Sequence, residues 1–361
     1  GGTWHYRDFS GKVGQSDLAG SASIATGGER LMLTADLVSK RLDFDDLAGF
    51  LGGTPDADGD DLDPQLEQQE ARQRARGKVL PATPYDLAKL RAMDADVRLR
   101  AQRIDTPDMP IDDMDAHLFL DSGLARLEPL NFGVAGGDIR SQVRMDARTD
   151  AITTRVRANV RQVELAQLFP DVELARDAAG RLAGSFNLVG SGNSVAAMLA
   201  TADGDVAVGM GRGEISNLLL ELAGIDIYEA LKFLLGKDRK VQVRCAFADF
   251  GVDKGVMQAR ALAFDTSDTI IIGEGQVDLG GETLDLELRP RPKDRSILTL
   301  RSPLHLGGTF ADPSFRPDFA RLGLRGAIAL ALGSIAPPAA LLATLELGPG
   351  EDSGCGGEYA K

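Results

Sequence analysis

The sequence predicts a mainly β protein built from repeated hairpins, with only short helices. Three observations carry that expectation: period-two alternation in segment after segment, an internal repeat at a constant offset, and glycines concentrated where hairpins would turn. The alternation is plainest in Thr283-Leu284-Asp285-Leu286-Glu287-Leu288-Arg289, where every second residue is leucine. Val241-Gln242-Val243-Arg244-Cys245-Ala246-Phe247, Val97 to Ala101, Val143-Arg144-Met145-Asp146 and Val156-Arg157-Ala158-Asn159-Val160 follow the same rule. Side chains on a strand point to opposite faces in turn, so such segments put one face in apolar contact and the other in water, as antiparallel sheets do. Ile270-Ile271-Ile272 breaks the pattern and reads as buried on both faces.

The repeat pairs Ala116 to Gly123 with Ala248 to Gly255. Leu130-Asn131-Phe132 and Leu262-Ala263-Phe264 follow them, all at an offset of 132 residues (253 − 121 and 264 − 132). Asp121-Ser122-Gly123 and Asp253-Lys254-Gly255 have the composition of hairpin turns, with glycine free to take positive φ. Asp203-Gly204 reads as another such turn.

Short helices interrupt the strands. Asp46-Leu47-Ala48, Asp86-Leu87-Ala88 and Glu164-Leu165-Ala166 open three of them, with an acid where the helix dipole favours one. A longer amphipathic helix is expected over residues 216–237. Its stripe holds Leu220, Ile227, Leu231 and Leu234, and Gly236 follows as a stop. Residues 52–83 are acidic and then polar all round, which predicts a mobile insertion. Gly326 to Leu345 is uncharged and mostly apolar, but Pro337-Pro338 interrupts it, so a docked helical segment is expected rather than a membrane span. The organisation is therefore 1–51 β with a short helix, 52–83 insertion, 84–215 β repeat, 216–237 helix, 238–318 β repeat, and 319–361 apolar helical segment and tail.

Composition narrows function. The chain has 361 residues, is 43% hydrophobic and carries a formal net charge of −14. That apolar content suffices for a core, and that charge disfavours nucleic acid and broad adsorption to anionic headgroups. It does not exclude lipid tails. Cys245 and Cys355 are the only cysteines; they are two unpaired thiols or one disulfide pinning the tail, the latter requiring an oxidising compartment. There is no CxxC pair. The chain begins at Gly1 without a signal peptide, as a piece cut from a longer protein would.

No chemistry assembles. Asp56, Asp58, Asp60 and Glu67 fit a calcium-loop register, but Asp61 stands where that loop needs glycine. His5, His117 and His305 are far apart, and no GxSxG elbow accompanies them. Gly209-x-Gly211-x-Gly213 and Gly190-Ser191-Gly192 lack the strand–loop–helix setting of nucleotide loops. The expectation is a protein that is not an enzyme, with no cofactor and no metal.

The last third of the β region, residues 241–317, closes with Ser302-Pro303-Leu304-His305-Leu306-Gly307-Gly308-Thr309 and Asp312-Pro313. With Tyr6-Arg7-Asp8-Phe9, Gln15 to Ser21 and Leu127 to Phe132, it resembles the AsmA family and its TamB-like relatives over nearly the whole chain. The resemblance implies a long, antiparallel-rich sheet curled into an elongated groove, in the periplasm, anchored to the inner membrane by an N-terminal helix not in this chain. It implies phospholipid as cargo moving toward the outer membrane, with outer-membrane or envelope proteins as partners at the C-terminal end. In that compartment a Cys245–Cys355 disulfide is expected. The apolar rows Leu284, Leu286, Leu288; Val241, Val243, Phe247; Val143, Met145; and Val156, Val160 are the groove candidates. The alternative readings are an assembly or quality-control factor for outer-membrane proteins acting by strand addition, and a scaffold whose rows are ordinary sandwich core.

Overall fold

The computed structural model describes residues 2–43, 77–82, 84–105, 111–168, 180–216, 240–267, 269–293 and 303–317. The strands are β1 Thr3–Val13, β2 Ser16–Ala25, β3 Leu31–Ser39, β4 Leu42–Asp43, β5 Met93–Asp105 and β6 Ile111–Asp121. Next come β7 Leu124–Val134, β8 Gly137–Asp146, β9 Thr153–Glu164, β10 Arg181–Ser191, β11 Asp203–Met210 and β12 Gly213–Ser216. The last are β13 Lys240–Asp253, β14 Val256–Thr266, β15 Thr269–Asp278, β16 Thr283–Pro292, β17 Leu304–Gly308 and β18 Pro313–Pro317. Three short helices accompany them: Leu87–Ala92, Leu165–Leu168 and Val195–Leu199.

All the strands belong to one mixed sheet whose neighbours follow chain order. The short β4 and β12 share a neighbour with β3 and β11. Every ladder is antiparallel except those of β3 and β4 with β5. The parallel pairing follows from the crossover, since the chain leaves after β4 and re-enters at β5 through Gly77–Ala92 rather than through a hairpin. Among the described residues no ladder joins β1 to β18, so the sheet is open.

The repeat folds as one unit used twice. Ala116 sits opposite Leu130, and Ala248 sits opposite Leu262. Ser122 and Gly123 have φ of 53° and 82°, and Lys254 and Gly255 have 48° and 78°, the two consecutive positive values of a type I′ hairpin. Asp203-Gly204 differs from expectation. It begins β11 rather than turning the chain, and a side chain at Gly204 would lie 1.9 Å from the Asn187 carbonyl oxygen of the next strand. Glycine is there for close strand approach.

Buried side chains collect at the two ends of the strands. At one end lie Ala95, Leu120 and Ala125, then Ile152 with Met198, then Val206, Phe250, Val252, Val277 and Leu286. At the other lie Leu42 with Ile104, Val134 with Val163, and Met210 with Val243. The three short helices cap these margins: Leu87 and Leu90, Leu165 and Leu168, and Met198 pack into them.

The last residues of the expected insertion over 52–83 are held in place. Residues 52–76 lie outside the described residues, but Gly77–Ala82 are pinned across the first margin. The Glu282 carboxylate, 2% exposed, accepts from the Val79 and Leu80 N–H groups at 2.6 and 3.2 Å, and Lys78 donates to the Gly280 carbonyl at 2.7 Å. Pro81 accepts from Ala196 N–H at 2.9 Å, and Tyr85 N–H donates to Asn193 at 2.9 Å. The strap thus runs from the tip of β16 past the Val195–Leu199 helix to the start of β5. Extended chain from Val79 to Leu87 plus the short helix spans at most roughly 37 Å. The ten strand steps from β5 to β16 span roughly 48 Å at about 4.8 Å each. A strap shorter than the sheet it crosses requires the sheet to curl. Glu282→Ala removes the charged acceptor of two part-buried strap N–H groups, so a loss of about 1 kcal/mol in urea unfolding is expected, with new protease cleavage within Gly77–Ala82.

The helices expected at Asp46-Leu47-Ala48 and within 319–361 lie outside the described residues, as do residues 217–237 of the helix expected over 216–237, whose first residue, Ser216, instead ends β12. The calcium-like register Asp56, Asp58, Asp60 and Glu67 lies outside them too. The other two begin one residue after Asp86 and Glu164, as expected.

Candidate functional site: an apolar sheet face

Register decides which alternating rows share a face, because paired residues on neighbouring strands point the same way. Starting from Leu284, the partners in turn are Val277, Met257, Val252, Gly204 and Leu188. They continue through Val156, Val143, Leu127, Leu118, Val97, Ala35 and Ala22 to Tyr6 on β1. No charged residue interrupts this row from β16 to β1. A second row runs beside it: Leu288, Gly273, Leu262, Ala248, Val208, Gly184, Val160, Ile139 and Phe132. One residue along, the opposite face reads Asp285, Gln276, Gln258, Gly251, Asp205, Asn187, Arg157 and Gln142. Along these rows the sheet has an apolar face from β16 to β1 and, one residue along, a polar row from β16 to β8.

The structure brings Leu284, Leu286, Leu288, Val143, Met145, Val156 and Val160 onto the apolar face. Their environments differ. Leu286 is 6% exposed and packs in the margin cluster with Phe250 and Val277, whereas Leu284, Leu288, Val143, Met145, Val156 and Val160 are half-buried. Val243, 2% exposed, packs with Met210 and Phe264 at the other margin. Val241 pairs with Ile215 through its backbone, and its side chain lies outside the described residues.

Phe247 is separated from the rest of its expected row. The ladder shifts between Val243 and Cys245, where two steps on β13 match one on β14. This bulge moves the odd positions after it to the polar face, where Phe247 aligns with Ala263, Ile272 and Arg289. Alternation in the sequence continues through a bulge as if none were there.

Cys245 is buried at 4% exposure and is not a free thiol; Cys355 lies outside the described residues. The three histidines stand apart. His117 faces the polar side with Nε2 2.7 Å from Asp96 Oδ1, and His305 pairs with Glu287. Gly190 lies where a side chain would come 2.2 Å from the Met198 carbonyl, which suits a strand packed under a helix rather than a phosphate loop.

On the polar face, carboxylates at the strand ends are held by local donors. The Arg148 guanidinium lowers Asp146 to about 2. The backbone N–H of Arg41 lowers Asp17, that of Ser122 lowers Asp94, and Arg161 followed by Arg140 lowers Asp138. A carboxylate lowered by folding contributes stability above its unfolded value and loses it as pH falls through its folded value. The thermal midpoint should therefore hold above about pH 5 and fall between about pH 4 and 2. Circular dichroism melts across that range check it.

Among the described residues no group of three or more His, Cys, Asp or Glu side chains could hold a metal ion, and no helix is long and apolar enough to cross a membrane.

An open, strapped β-sheet with one apolar and one charged face is the class of protein that fold and site define. The AsmA family profile matches residues 3–262. The chain is also 36% identical, over 354 residues and 97% of its length, to AsmA family protein YhjG of Escherichia coli (strain K12). It belongs to the AsmA family. It spans about half the length, 52%, of that relative. No solved structure matches it.

Proposed function

We propose that this chain is the periplasmic part of an envelope protein that binds phospholipid by its acyl chains and conducts it between the inner and outer membranes, supporting outer-membrane biogenesis. The observation that carries the reading is the unbroken apolar row from Leu284 to Tyr6, half-buried along most of its length. A sheet needs a second layer over an apolar face. Among the described residues, helices and strap cover only its margins, which leaves the middle to an apolar guest. Each lipid CH₂ kept from water is worth about 0.8 kcal/mol, so a sixteen-carbon chain would face roughly 12 kcal/mol in crossing bare solvent. A track that shields the tail supplies the needed catalysis of transfer without any reacting side chain.

The resident membrane anchor of the longer protein and its partners at the C-terminal end belong to the same proposal. So does the Cys245–Cys355 bond, which predicts a gel-mobility difference between reduced and unreduced chain. The experiment is mass spectrometry of lipid extracted from the purified chain. Phospholipid at near-stoichiometric amounts supports the reading, and a lipid-free folded protein that takes up none from vesicles contradicts it.

The second reading, strand addition to assembling outer-membrane proteins, is favoured by β1. It is an 11-residue edge strand with Trp4 64% and Tyr6 56% exposed, and long edges recruit other strands. Crosslinkers on β1 that capture barrel segments, with none of the apolar-face positions capturing lipid, would put that reading first.

A further inference from the structure

The polar face carries a patch whose charge opposes that of the whole chain. Arg126, Arg144 and Arg155 stand directly opposite one another on β7, β8 and β9. Arg157 lies two residues along β9, between Gln142 and Asn187. All four arginines are exposed. Among the described residues none has a carboxylate within 4 Å. Asp146, two residues along β8, pairs with Arg148. Glu128, two residues along β7 from Arg126, is the other acid close by in sequence, and Asp138 and Glu164 lie at the far ends of β8 and β9. Asp146 does feel the charge of Arg144, at longer range. Arg126 is held in place by lying 5.5 Å over the ring of Phe119.

Like charges directly opposite on adjacent strands destabilise a sheet. Three in register, in a chain of net charge −14, is a local arrangement that folding alone does not reward. We propose that this patch docks an acidic polypeptide segment of a partner protein. Guanidinium groups about 5 Å apart across strands and about 7 Å apart along them form a grid. An extended segment presents same-side carboxylates at that second spacing. Gln142 and Asn187 add both donors and acceptors, which suit a peptide backbone. A bilayer is also a large plane that meets the rest of the acidic surface within a Debye length of it, whereas a narrow segment meets the patch alone.

The test is fluorescence anisotropy of a dye-labelled polyglutamate peptide titrated with the intact chain at low ionic strength. Arg144→Gln with Arg155→Gln should weaken binding about tenfold. The same charge change at Lys12→Gln with Arg316→Gln, both exposed and remote, should leave it within about twofold. Relief of like-charge repulsion predicts that the arginine double variant melts no lower than the parent, which separates lost docking from lost folding. Equal weakening by the remote pair overturns the proposal, and so does absence of peptide binding. Phosphatidylglycerol vesicles bound through these arginines in preference to the peptide would overturn it in favour of a membrane.

Discussion

Leu286→Asp is expected to lower the stability of the chain by about 4 kcal/mol, or its thermal midpoint by about 10 °C, because it strands a charge where no partner stands. Leu286 is 6% exposed, opposite Gly275 and Leu306, within the cluster of Val206, Phe250, Val252 and Val277. That cluster also takes in Leu188, Met257, Leu262 and Leu284 of the two apolar rows and Phe310 beyond β17. Urea and thermal unfolding followed by circular dichroism read the loss directly. A variant that melts with the parent would mean that the margin is not packed core.

Val156→Asp should do the reverse. Val156 lies on the same face, but half-buried between Val143 and Leu188 in the middle of the row. The carboxylate there reaches solvent from the open side, so the cost to folding should be about 1 kcal/mol. A charge set among acyl chains has no partner and keeps its full desolvation penalty, so co-purifying or vesicle-derived phospholipid should fall at least about tenfold. Arg157→Asp, one residue on and facing the other way, should leave lipid content unchanged. Equal lipid loss in both variants would remove any role for the alternation. A large stability loss in Val156→Asp with unchanged lipid would make the middle of the face ordinary core.

The contrast between Leu286 and Val156 shows where sequence reading reached and where it stopped. Alternation placed both in apolar rows, and nothing local distinguishes them: each is an aliphatic residue flanked by charge. Their different burial comes from position along the sheet: Leu286 on β16 lies in the cluster that spans β10 to β17, whereas Val156 on β9 belongs to none of the buried clusters among the described residues. That is set by pairings between residues far apart in the chain. The repeat was legible because the Ser122-Gly123 and Lys254-Gly255 turns and the return-strand Leu-x-Phe are local, and the fold reproduces it in the pairs Ala116–Leu130 and Ala248–Leu262.

Phe247 marks the opposite case. A bulge costs one extra residue and leaves no composition signature in Arg244-Cys245, so the row looked continuous while the strand changed faces. The strap escaped for a related reason. Gly77–Ala82 follows a long polar stretch, and what orders it is Glu282, about two hundred residues away and acting on backbone N–H groups that any sequence would supply. The arginine ladder was equally invisible, since each arginine is an ordinary exposed strand residue until register sets Arg126, Arg144 and Arg155 side by side.

The most direct measurement of the central claim is site-specific photocrosslinking in cells at neighbouring positions on one strand. A photoreactive residue at Val156 and at Val143 should capture phospholipid, and the same residue at Arg157 and at Phe247 should not. Capture at all four positions, or at none while the protein is folded, would contradict an apolar face that carries lipid.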